Sequence, residues 1–303
     1  MELRHLRYFV AVVEEQSFTK AAEKLFIAQP PLSRQIQNLE EELGAQLFER
    51  GSRPLRTTTI GRFFYQQAVK LLSNAEEIKL ITQRASATER TINIGYGGSL
   101  LCGLLPRIVY LYRQQYPHSN INLIELNAID QIQALKEGRV DACFSRVRVS
   151  DPAIKRVLLR EEPLIAAVHS SHPLSTQKSI SLNNLKDEQI FVYPPSEGQS
   201  YATQIKSLFL EYGMEPKRFS TQADLQQSLG MVAAGEGICI VPESVRIMQF
   251  RHVNYVKLSD SAAMSPIYLI VRNDDEGELA RPLFDCVYQV YDLEAIEYDR
   301  RVF

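Results

Sequence analysis

A strong net charge is missing from this chain: 34 Lys and Arg stand against 36 Asp and Glu. Such a balance gives no chain-wide attraction to nucleic acid, so only a local concentration of basic groups would serve one, because counterion release depends on local phosphate contacts. Long apolar runs are missing as well. Nothing approaches the roughly 20 residues of a membrane span. The opening MELRHLRYFVAVVEEQ interrupts its apolar residues with charges and lacks the unbroken core of a signal peptide. A cytoplasmic protein without a membrane partner is expected. Cysteine is scarce, with Cys102, Cys143, Cys239 and Cys286 far apart and no CxxC. They read either as a disulfide or metal framework or as reduced buried thiols, and the second is favoured in a large chain without an export signal. Five histidines come with no HExxH, no GxSxG elbow and no phosphate loop. Neither an enzyme, a cofactor nor a metal is expected.

What is present suits a globular protein. The chain has 303 residues, 45% hydrophobic and 23% charged, enough for about two domains. Basic residues concentrate locally: residues 50–58 hold three arginines and no acid, and residues 26–39 hold Arg34 and no acid.

Leu3, Leu6, Phe9, Val10 and Val13 recur at helical spacing. Ser17 is a candidate N-cap for a short helix through the small pair Ala21-Ala22 and Leu25. In IAQPPLSRQIQNLEEELG, the residues Leu32, Ile36, Leu39 and Leu43 form one apolar stripe. Pro30 and Pro31 fall in a first turn, whose N–H groups have no intrahelical partner, and Gly44 ends the helix. Three short helices with a tight second-to-third turn have the shape of a helix-turn-helix. The polar face of the third offers Gln29, Ser33, Arg34 and Gln37 from its N-terminal half, with Glu40, Glu41 and Glu42 at the far end. Periodicity alone leaves a DNA-reading head and a plain three-helix packing module equally open.

The run SFTKAAEKLFIAQPPLSRQIQNLEEELGAQLFERGSRPLRTTTIG resembles the DNA-binding domain of LysR-type transcriptional regulators almost residue for residue. It departs at Thr57-Thr58-Thr59-Ile60-Gly61, where leucine-threonine-proline-alanine-glycine is usual. The resemblance implies that Gln29, Pro30, Ser33 and Arg34 meet the major groove and that Arg53 sits in a wing near the minor groove. Pro30 can pack on a thymine methyl, and Arg34 has the fork that guanine or phosphate accepts.

From Arg62 to about Ala87 neither glycine nor proline interrupts the chain, and Phe64, Ala68, Leu71, Ala75 and Ile78 form a heptad seam. The stripe needs cover, from its own chain or from a second subunit. The resemblance favours a homodimer through this helix, often paired further into a homotetramer, reading an interrupted inverted repeat in double-stranded DNA.

Beyond it, TINIGYGG, NINLIEL, DACFSR, LIAAVH, QIFVYP, GICIVP and PIYLIVR are strand-like, with helical patterns between several of them, which indicates α/β architecture. The expected plan is a winged helix-turn-helix over 1–61, a linker helix over 62–90 and an effector-binding domain over 91–303. Within the last, subdomain I takes about 91–161 and 268–303 and subdomain II about 162–267. Two crossovers and a periplasmic-binding-protein-like fold are implied by the LysR resemblance.

The turn Gly97-Gly98-Ser99-Leu100 reads either as an anion site built on backbone N–H groups and a hydroxyl or as a tight turn alone. Ser200-Tyr201-Ala202-Thr203 looks like its counterpart in the second subdomain. Arg146 follows DACFS, where it either attracts an anion into the cleft or pairs with an acid such as Glu162. ELRHLRYFVAVVEEQS, GLLPRI, VSDPAIKR and LGMVAAGEGICIVP are similar to the LysR subgroup that responds to benzoate, muconate and related acids. That similarity spans essentially the whole chain. It implies a carboxylate effector such as muconate or benzoate, held by Ser99, Arg146 and Tyr201 and lined by Leu100 and Ile267. It leaves a second effector site at Arg160 and Tyr291 as a further expectation. Ala128 stands where the subgroup carries a threonine hydroxyl.

Two other functions compete with this reading. A transport-type binding protein would share the C-terminal fold but would need an export signal and would not carry the N-terminal helices. A thiol redox sensor would need Cys143 or Cys239 exposed with a lowered pKa.

Overall fold

A computed structural model describes all residues except 50, 52–54, 86–89, 194–197, 215–217, 274, 276–279 and 299–303. The chain divides into two compact units, Met1–Gln83 and Arg84–Phe303.

The first unit opens with α1 (Leu3–Glu15), α2 (Phe18–Lys24) and α3 (Gln29–Leu43). Ser17 caps α2 by accepting the Lys20 N–H, and Gly44 ends α3 in the left-handed conformation at φ 63°. Apolar residues at helical spacing close over a small core of Leu6, Phe9, Val12, Ala21, Ala22, Leu32, Ile36 and Leu39. A single antiparallel bridge, Phe48 to Thr57, marks the base of the wing. The unit ends in α4 (Thr59–Ala85), which is longer at its start and shorter at its end than the expected linker helix. The Thr58 hydroxyl accepts the Gly61 N–H at 2.9 Å at the start of that helix. Thr58 also binds the Gln46 carbonyl at 2.8 Å, so the divergent Thr-rich stretch still fastens the helix to the wing.

The expected seam on α4 divides. The Phe64 ring lies 5.2 Å from that of Phe9, and Ala68 is buried in the same core. Leu71 and Ile78 remain 45% and 67% exposed. The first part of the stripe therefore packs within its own subunit, and the later part is left for another surface.

In the second unit, strands and helices alternate. The elements are β1 (Arg90–Tyr96), α5 (Leu105–Gln115), β2 (Ser119–Glu125), α6 (Ala128–Lys136), β3 (Ala142–Ser145), β4 (Ile154–His169), β5 (Ser179–Ile180) and β6 (Gln189–Val192). They continue with α7 (Tyr201–Glu211), β7 (Arg218–Thr221), α8 (Leu225–Ala233), β8 (Ile238–Pro242), β9 (Val253–Leu258), β10 (Met264–Arg272) and α9 (Ala280–Leu293). The sheet order is β2-β1-β3-β10-β4-β8-β6-β7, with β9 on β4 and β5 on β9. β1 is parallel to β2 and β3, and β6 is parallel to β7 and β8. The central strands β3 and β8 are buried throughout, as expected for a parallel arrangement covered on both faces.

β4 belongs to both halves. Its residues up to Pro163 pair with β10, and from Leu164 onward it pairs with β8 and β9. The return occurs ahead of Met264, a few residues before 268, because Met264 already pairs with Pro163 in the first half.

Candidate functional site

On the first unit, α3 presents Gln29, Pro30, Arg34 and Gln37 exposed and Ser33 half-buried, while Leu32, Ile36 and Leu39 anchor the opposite face. Its N-terminal half is thus free to enter a groove. Gln35 bonds His5 of α1 at 2.8 Å and orients the helix against its neighbour. Arg53 lies outside the described residues. Glu40, expected merely to lie away from DNA, has a positioning role: its carboxylate accepts the Leu47 and Phe48 N–H groups at 2.7 and 3.2 Å. It ties the far end of α3 to the entry of the wing, and no spacing rule in the sequence signals this.

In the second unit, the turns that follow β1, β2, β3 and β6 border a cavity of about 610 Å³. Ser99, Arg146 and Tyr201 all line it, brought together from distant positions by strand-to-helix turns. The Ser200 side chain caps α7 by accepting the Thr203 N–H at 3.1 Å. The Tyr201 hydroxyl donates to the Ile240 carbonyl at 3.3 Å, which fixes its ring, and the Tyr193 ring lies 5.2 Å away. Burial pushes both phenols well above their ordinary pKa, so they stay neutral. Ala128, the first residue of α6, also borders the cavity.

Of the two readings open for Arg146, the structure shows the ion pair. Its Nη2 lies 2.6 Å from Glu162, both side chains being 4% exposed. The Arg146 Nε donates to the Ser99 hydroxyl at 3.0 Å and Nη1 to the Ser265 hydroxyl at 3.3 Å. Glu162 also accepts the Ser244 N–H at 2.6 Å. Burial alone would raise the Glu162 pKa, but Arg146, Ser244 and Arg160 outweigh it and hold the carboxyl below its ordinary value.

Leu100 and Ile267 do not line the large cavity. With Arg160, Tyr291 and Arg146 they border a second, much smaller pocket of about 10 Å³, scarcely room for one water. The Arg160 guanidinium lies 5.7 Å from the Tyr291 ring centre. Leu100 faces away from Ser99 because adjacent residues of a 3-10 turn point in different directions. Arg146 borders both pockets.

The two thiols considered for redox sensing do not suit it. Cys143 and Cys239 are fully buried, and burial pushes each to a pKa of about 12. No helix among the described residues is long and apolar enough to cross a membrane.

Residues 3–62 match the family of bacterial regulatory helix-turn-helix proteins of the lysR family, and residues 85–292 match the LysR substrate binding domain. The chain belongs to the LysR family of transcriptional regulators. It is 55% identical over 296 residues, 97% of each chain, to the HTH-type transcriptional regulator BenM of Acinetobacter baylyi. It is also similar to the BenM effector binding domain solved with its effector benzoate, at 45% identity and a TM-score of 0.68, covering 72% of this chain and 99% of that one. Full-length CbnR complexed with its target DNA matches at 27% identity and a TM-score of 0.71, covering 95% of this chain and 99% of that one.

Proposed function

We propose that this regulator senses a small carboxylic acid of the benzoate or muconate kind in the 610 Å³ cavity and controls genes of aromatic-compound catabolism. The observation that carries the reading is the meeting of Ser99 from one half of the unit with Tyr201 from the other across that cavity. Ser99 supplies a hydroxyl, Tyr201 covers an unsaturated body, and Arg146 backs Ser99 through its Nε. Leu100, Ile267, Arg160 and Tyr291 form a second place for an aromatic acid, which must open for a ligand to enter. A ligand that bridges the halves biases their arrangement by no more than its differential affinity for the two states.

The domain plan is a reading head up to residue 58, α4 (Thr59–Ala85) as the pairing helix and a sensor from β1 onward. Gln29, Pro30, Ser33 and Arg34 read the major groove of an interrupted inverted repeat, with Arg53 in the wing. The exposed later part of α4 pairs two subunits, and pairs of dimers make a tetramer. The protein works in the cytoplasm, where its DNA lies. Isothermal titration with benzoate and with benzamide, on wild type and Ser99→Ala, tests the effector site. The acid binds wild type and loses affinity with Ser99→Ala. Equal binding of the amide, or an indifferent Ser99→Ala, overturns the reading.

A further inference from the structure

We infer that the cavity favours an aromatic carboxylate whose ring carries an apolar group, an alkyl chain or a second ring, lying at the cavity mouth. This rests on the effector reading above and extends it. Benzoate and muconate still bind, but leave the mouth uncovered.

Leu101, Ile129 and Ile247 all line the cavity. Leu101 belongs to the 3-10 turn Gly98–Cys102 and Ile129 to the first turn of α6, while Ile247 ends the 3-10 turn Glu243–Ile247 of the other half. They are 38%, 50% and 73% exposed, which places them at the mouth. Ile129 reaches toward the opposite half: a Cβ added at Gly198, just ahead of α7, would stand 3.8 Å from its Cδ1. Among the described residues, none of the three packs against a hydrophobic core of this unit. Single exposed apolar side chains are ordinary, but three that line one cavity from both halves form a patch of the kind a ligand covers.

Polar side chains beside them are already engaged. Asn127 caps α6 by accepting the Ile129 and Asp130 N–H groups at 3.1 and 2.9 Å, and Asp224 caps α8 by accepting the Gln227 N–H at 2.7 Å. The apolar residues have no such local task.

Two further lining residues continue the apolar surface inward. Burial raises the Cys102 pKa, so the thiol is neutral and acts as a small hydrophobe. Met248 packs against the core of the second half, and its flexible thioether adapts to an irregular ligand. At about 610 Å³ the cavity lies in the range of roughly 300–1,000 Å³ that holds drug-sized molecules, more than one ring with a carboxylate needs. The lining thus divides by chemistry, with a hydroxyl at Ser99 for the carboxylate and apolar surface for a ring substituent.

Isothermal titration of the full-length protein with benzoate, 3- and 4-isopropylbenzoate and the matching carbamoylbenzoates tests this. A carbamoyl group has the shape of isopropyl without its apolar character. At least one isopropyl acid should bind about tenfold or more tightly than benzoate, with a more negative heat-capacity change. Its carbamoyl counterpart should not share the gain. Ile129→Ser/Ile247→Ser should weaken that acid by about fivefold or more and cut its advantage over benzoate. Both residues are exposed and outside the cores, so the variant should fold. If it misfolds, the wild-type ranking decides. If benzoate matches both isopropyl acids, if the carbamoyl acids equal them, or if a folded variant keeps the full advantage, the inference is wrong and the effector cleft stands. If no acid binds, both fall.

Discussion

Arg146 and Glu162 hold each other at 2.6 Å, almost closed to solvent, and through Ser99 and Ser244 their pair reaches residues in both halves of the second unit. A buried charge left alone is expensive, whereas a matched pair replaced whole is often tolerated. Glu162→Gln should destabilise the protein by about 3–5 kcal/mol, because Arg146 then lacks a counter-charge. Arg146→Met/Glu162→Met should recover much of that loss. Chemical denaturation of both single variants and the double checks it, and additive losses would show that the two do not act as a pair.

The same carboxylate sets an acid limit. Its folded pKa is held below the ordinary value, so its contribution to stability is complete above the unfolded glutamate pKa of about 4.3 and is lost as pH falls through the lower folded value. Melting temperature measured from pH 6 downward should decline less steeply in Glu162→Gln than in wild type.

Gly61 is a steric requirement. A Cβ there would come within 2.0 Å of the Leu47 carbonyl oxygen. Gly61→Ala must push α4 from the wing, at a cost on the order of 1–3 kcal/mol. DNA affinity should fall with it, because the wing is fastened at this point. A melt and an anisotropy titration indistinguishable from wild type would contradict the close approach.

Arg34→Ala tests the recognition helix. Arg34 is exposed and supports no core, so folding should be unchanged. Affinity for the cognate inverted repeat should drop by about 1–3 kcal/mol if the guanidinium reads a base, and by less, with a shallower salt dependence, if it touches phosphate. Unaltered affinity would remove this residue from the interface.

Leu71→Lys separates assembly from folding. Leu71 is exposed, unlike Phe64 and Ala68 in the core of the reading head. Sedimentation should show a weakened dimer while the head keeps its fold. An unchanged oligomer would mean that another surface joins the subunits.

The reading head was legible because its evidence is local: a 3.6-residue period, a cap at Ser17 and a stop at Gly44 need no distant partner. The cavity was legible in outline because Ser99 and Tyr201 both follow strands, and strand ends gather at one edge of such a sheet. What escaped depends on register. The pair Arg146–Glu162 stood among the readings, but the choice between it and a free cation is set by where β4 lies beside β10, and a shift in that pairing at Ile267/Tyr268 is invisible in a periodicity. Leu100 and Ile267 border the smaller pocket for a related reason, since facing depends on local twist.

β4 runs without a break from one half of the second unit into the other, changing partners between Pro163 and Leu164. Any swing of one half against the other must therefore be absorbed by a few backbone torsions. At Pro163 the ring locks φ, leaving one rotatable backbone angle where most residues have two. The joint is stiff on one axis and free on another, so ligand closure should follow a narrow, reproducible path instead of a loose wobble.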